Sequence, residues 1–159
     1  MGGGVSKIGS LVLLFVVKIF HLAAMALWFG AAFSTPADVR RTLASPGSDI
    51  PALLQRLRLT AKIMNGSGLA TLITGLILVQ LLGGFAAVPL RIHLGLALTL
   101  LIFVVGRWMI RPAVVELSKA AREPGFAAVA GRISRKFSRA VALEHGLRIV
   151  VLVLMVYPI

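Results

Sequence analysis

The chain has no cysteine in its 159 residues. That excludes disulfides, iron–sulfur clusters, thiolate haem ligation and covalent c-type haem attachment, so any metal is held by His, Met or oxygen. Acidic side chains are nearly as scarce: five Asp and Glu stand against 17 Lys and Arg, a formal net charge of +12. Charged residues make up only 14% of the chain, 58% is hydrophobic, and mean hydropathy is +0.97. This balance is too apolar for a water-soluble core of this size and reads as a membrane protein. No nucleophile–base triad, phosphate-binding loop or zinc-protease motif occurs.

What is present is a set of four apolar stretches, each near the roughly 20 residues that cross a bilayer as helix. They fall at about 11–33, 63–85, 88–110 and 140–157. The expected fold is all-α: one integral membrane four-helix bundle over 1–159, with no room for a second domain. The positive charge does not mark a nucleic-acid partner, because it sits in the connections. Arg40, Arg41, Arg56, Arg58 and Lys62 occupy the first connection, and Arg111, Lys119, Arg122, Arg132, Arg135, Lys136 and Arg139 the third. The second carries only Arg91. By the positive-inside rule this predicts cytoplasmic first and third connections, with both termini on the outer side of a bacterial inner membrane. The N-terminal run contains Lys18 and His21 and is too long for a cleaved signal, so it is expected to be a retained helix.

Breakers set the element boundaries. Pro36 is expected to end the first helix. Ser48 or Asp49 caps a second helix with Pro51 in its first turn, running to Leu82 and protruding into the cytoplasm. Pro89 opens the third, which continues past a bend at Pro112 to about Arg122. Glu123-Pro124-Gly125 is a turn, and 131–139 forms a basic entry to the fourth helix that suits lipid headgroups. Ser67, Thr71 and Gly75, and likewise Ala26 and Gly30, recur at four-residue spacing and read as seams of close helix approach.

All three histidines, His21, His93 and His145, fall within or at the edge of spans. An ionisable ring at membrane depth is a functional hypothesis by default. Two neutral imidazoles from different helices hold haem iron or copper in bundles. At about 1.5 Å rise per residue, His21 and His93 match best in depth, with His145 the alternative ligand. Lys18, His21, Met25 and Trp28 form one helical stripe. In a haem reading Met25 and Trp28 wall the ring while Lys18 and Arg91 meet propionates. Glu144 and Arg148, one turn apart, neutralise one another. Asn65 is expected to make an interhelical hydrogen bond.

The strings Lys18-Ile19-Phe20-His21-Leu22, Leu27-Trp28-Phe29-Gly30 and Arg91-Ile92-His93-Leu94 resemble HemJ-type protoporphyrinogen oxidases and the related CopD-like four-helix membrane families. On the third-helix pattern, His93 stands at the family's lysine and Arg91 at its histidine. Glu144 falls where an acidic residue is frequent. The resemblance implies haem b, oxidation of protoporphyrinogen IX and electron delivery into the membrane. The leading expectation is therefore a haem b protein with His21 and His93 as axial ligands, acting in electron transfer or a quinone-coupled oxidation. Its partners would be the bilayer and a quinone or redox protein, with a homo-oligomer left open. The alternatives are CopD-like copper binding or transport through His21, Met25 and His93, and a non-catalytic accessory subunit.

Overall fold

The computed structural model describes residues 3–31, 33–45, 47 and 49–156, with side chains from residue 8 onward. These residues are helical, with no strand among them. The order is α1 (Gly3–Gly30), α2 (Thr35–Ala44), α3 (Ile50–Leu81), α4 (Leu90–Val105), a π-helical turn (Gly106–Ile110), α5 (Arg111–Ala120) and α6 (Phe126–Val156). Three helical stretches are long and apolar enough to cross a membrane: Ile8–Ala44, Ile50–Leu81 and Leu90–Ala120. The end of the fourth apolar stretch, Tyr157, lies outside the described residues, as does Ser48.

Local chemistry explains the boundaries. Asp49 caps α3, its carboxylate accepting from the Ala52 N–H at 2.9 Å, with Pro51 in the first turn. Gly83 and Gly84, with φ of 105° and 87°, turn the chain after α3 through backbone conformations open chiefly to glycine. Pro36 does not end α1, which stops at Gly30. It sits in the first turn of α2, where its missing N–H leaves no bond unmade. Pro112 would clash with the Trp108 carbonyl in a regular helix, and the turn just before it widens to π geometry, the Arg111 N–H reaching Gly106 O.

Packing divides the molecule into two parts. At the basic end, α2, α5 and the first halves of α3 and α6 enclose Val39, Leu53, Leu57, Ala113, Leu117, Ile133, Phe137 and Val141. Two surface clamps lock this end. Arg56 donates to both Asp38 oxygens at 2.9 and 3.0 Å, and Glu116 receives Lys136 at 2.6 Å and Arg132 at 3.1 Å. Arg56 and Lys136 hold their carboxylate partners, Asp38 and Glu116, below the usual carboxylate range. The apolar half has a smaller core, Trp28, Ile102 and Val151. Its outward surface is greasy: Leu11, Phe15 and Phe20 are each 64% exposed. A water-facing end must bury its apolar groups, whereas lipid-facing helices gain nothing by doing so.

α1 packs mainly on α3, and α4 on α6. The α1–α3 seam uses Ser67, Thr71 and Gly75 as expected. The hydroxyls of Ser67 and Thr71 are buried and turned back onto the Ile63 and Ser67 carbonyls. Ala26 and Gly30 form no such seam: both face outward, and a Cβ on Gly30 would meet nothing within 4 Å.

Candidate functional site

Trp28 is where the long helices converge. Its ring is 2% exposed and stacks on Phe103 of α4, with centroids 6.1 Å apart. Gly68 of α3 is the only residue type that fits opposite it, since a Cβ there would lie 2.9 Å from Trp28 Nε1. From α6 the Arg148 guanidinium lies over the same ring, 4.9 Å from its centroid, and donates through Nη1 to the Trp28 carbonyl at 3.2 Å. That carbonyl is among the last of α1, a helix end that lacks intrahelical donors and favours a cation. Arg148 thereby caps α1 from another helix.

Arg148 is fully buried, and its Nη2 donates to Glu144 Oε1 at 2.7 Å. The expected mutual neutralisation is therefore present. Glu144 is 5% exposed, and neither its second oxygen, Oε2, nor Arg148 Nε has a hydrogen-bond partner among the described residues.

Beside this pair lies a cavity of about 560 Å³. Trp28, Ile102, Phe103, Phe137 and Val141 wall it, and Glu144 stands at its buried side. Its rim carries Arg58, Arg107 and Arg111, all exposed, together with Asn65 and Ala61 on α3. The exposed lining of α3 and of the π turn opens the cavity laterally between these elements. Asn65, expected to bridge helices, faces this opening instead.

The histidines are placed elsewhere. The Thr74 hydroxyl donates to Ala70 O at 2.6 Å, so it accepts from His21 Nδ1–H at 2.9 Å. The His21 ring is set into the α1–α3 seam, its Cε1 3.2 Å from where a Cβ on Gly75 would stand. His93, half-buried at the start of α4, leans on Phe85 with centroids 5.8 Å apart, its Nδ1 3.3 Å from Pro89 O. His145 Nδ1 donates to Val141 O at 2.9 Å, and Phe33 meets its ring edge-on. Each ring bonds within its own seam or helix, no described contact joins His21 to His93, and none of the three borders the cavity.

The rest of the first-helix stripe divides: Met25 and Trp28 are buried, whereas Lys18 is exposed. Arg91 is half-buried next to His93. No group of three or more His, Asp or Glu side chains is placed to hold a metal among the described residues. Sequence reasoning missed the rim arginines: it read Arg58 and Arg111 as topology signals alone and passed over Arg107, which falls within the third apolar stretch. Their signal was the run Arg107–Arg111 straddling the end of an apolar stretch. Comparison with protein-family models, curated proteins and solved structures finds no match.

Proposed function

We propose that the chain is a four-span membrane protein, α6 being the fourth span, with both termini outside and the basic end in the cytoplasm. Its working site is the Trp28 cavity, which binds a membrane-borne organic anion entering laterally. The observation that carries this is the combination of an aromatic, apolar interior with three arginines confined to its rim. An amphiphile laid in such a site buries its body against Trp28 and Phe103 and meets guanidinium groups with its acidic end at headgroup depth. The volume falls in the range of roughly 300–1,000 Å³ typical of organic-ligand sites.

The HemJ resemblance narrows the class to a tetrapyrrole with two carboxylates and the role to electron transfer or a quinone-coupled oxidation in a bacterial inner membrane. In that reading the arginines hold the carboxylates and the aromatic wall holds the macrocycle. The basic end gives the ligand access from the cytosolic leaflet.

The test is a titration of purified protein in lipid nanodiscs with protoporphyrin IX, in a Trp108→Phe background so that Trp28 is the sole tryptophan. Saturable quenching is expected. Arg58→Gln and Arg111→Gln should each weaken it by about tenfold, the worth of a charge-assisted hydrogen bond. Quenching that is non-saturable, or indifferent to both arginine changes, rejects the reading.

A further inference from the structure

A second cavity, of about 430 Å³, lies between the start of α3 and the end of α5. Its polar lining is Gln55 and Arg58 from α3, Ser118 from α5 and Arg122 just after it. None of these four side chains has a hydrogen-bond or ion-pair partner among the described residues. Ser118 departs from the habit of the other hydroxyls within helices. Ser67, Thr71, Thr74 and Thr99 each turn back onto the carbonyl four residues earlier, whereas the half-buried Ser118 leaves its hydroxyl uncommitted at the cavity. No Asp or Glu lines this cavity. Asp49, beside Ile50, accepts the Ala52 N–H, and Glu116 is held by Lys136 and Arg132. Glu123, beside Arg122, is outside the lining. Two guanidinium groups, a hydroxyl and an amide thus offer donors with no acid among them to take them up. An oxyanion with several acceptor oxygens matches that set.

Arg58 lines this cavity and the Trp28 cavity alike. An anion in one and the acidic end of a ligand in the other would repel each other across it and compete for its donors. Ser118 stands about two turns beyond the rim residue Arg111 along α5, roughly 10 Å farther from the apolar stretch, so the second site faces water.

We propose that the second cavity binds a phosphate-bearing anion from the aqueous side, and that its occupation weakens binding in the Trp28 cavity through Arg58. The site stands independently of the reading of the Trp28 cavity, and the coupling rests on that reading. Coupling between two binding sites is reciprocal, so each ligand weakens the other by the same factor.

The probe is inorganic pyrophosphate, titrated by calorimetry into the Trp108→Phe protein in phosphatidylcholine nanodiscs, without magnesium and with chloride holding the ionic strength constant. Saturable binding is expected. Arg122→Gln should weaken it about tenfold while protoporphyrin IX affinity stays within about twofold, since Arg122 does not border the Trp28 cavity. Arg135→Gln removes the same charge from α6 outside both cavities and should change pyrophosphate binding by less than about twofold. With pyrophosphate at saturation, protoporphyrin IX should bind about five- to tenfold more weakly, and Arg58→Gln should remove that antagonism. Phosphatidic acid added to the nanodiscs should not displace pyrophosphate. Displacement that Arg122→Gln abolishes would make the source a lipid headgroup and overturn the aqueous assignment. Absence of saturable binding, or equal losses in Arg122→Gln and Arg135→Gln, overturns the site. Pyrophosphate binding that leaves protoporphyrin affinity unchanged overturns the coupling. Failure of protoporphyrin IX to bind at all rejects the Trp28 reading and the coupling with it, while the calorimetry still decides the second site.

Discussion

One indole side chain joins α1 to α3, α4 and α6, and the neighbours of Trp28 have little freedom to change. Gly68→Ala would put a methyl group within van der Waals overlap of Trp28 Nε1 and of Phe103 Cζ. Both rings are large and stacked, so the expected cost is about 1–3 kcal/mol of overpacking, read as a lowered melting temperature with shifted Trp28 emission. Arg148→Met is expected to cost more, about 3–5 kcal/mol, because it leaves the Glu144 carboxylate buried and unpaired. His21→Ala should act differently. It removes a seam contact with Thr74 and Gly75 but nothing that borders the cavity, so protoporphyrin affinity should stay within about threefold while stability falls. A tenfold loss of affinity would return His21 to the site. Trp28 was legible in the sequence as one of four residues on a stripe and as part of the Leu27-Trp28-Phe29-Gly30 string. Its central place depends on Gly68, Phe103 and Arg148, which lie 40, 75 and 120 positions away, and no local pattern encodes such distances.

Elements were easier to read than sites. The cap at Asp49, the glycine turn at Gly83–Gly84 and the continuation of helix through Pro112 are local signals, and each is present. The short α2 escaped because Pro36 reads equally as a terminator of one helix and the first turn of the next. The π turn escaped because its cause, Pro112, lies after it. Pro112→Ala restores the missing donor and should let regular α geometry return, rotating Gly106 and Arg107 away from the cavity. The expected outcome is a several-fold weaker protoporphyrin titration with helical content unchanged or raised.

The clamps on α2 and α5 give the basic end a pH dependence. Asp38 and Glu116 have folded-state pKa values below their unfolded ones. Their contribution is therefore complete above the ordinary carboxylate range near pH 4 and is lost as pH falls through the lower folded values. Asp38→Asn combined with Glu116→Gln should melt below the unmutated protein at pH 7, and the gap should close toward pH 3. A gap that persists in acid would show that the substitutions act through something other than charge.

For the molecule as a whole, an all-helical chain with apolar stretches was plain from composition, because the bilayer sets helix length and rewards uninterrupted hydrophobic runs. The proposed orientation rests on charge distribution and is open to direct test, helped by the lack of cysteine. A single cysteine introduced at Ala86 should react with a membrane-impermeant maleimide in intact cells, and one at Ser45 or Glu123 only after permeabilisation. The reverse pattern would place the cavity rim on the outer leaflet. The redox chemistry was read from histidines because titratable rings in apolar runs are conspicuous in a sequence. Three arginines at the edge of a cavity look the same in a sequence as three arginines that only set topology, and the two uses are separable only once α3 and the π turn are seen facing one another.

The spacing of Glu144 and Arg148 on a single helix bears on how the protein is made. An ion pair four residues apart closes as soon as α6 coils, before any other helix is near. On the proposed four-span reading, α6 therefore enters lipid with this pair already neutral, and meets the carbonyl of Trp28 as the helices pack. Moving either charge to a different helix would preserve the final contact but oblige a naked ion to cross the translocon, so such a swap should lower membrane yield far more than it lowers the melting temperature of whatever protein is assembled.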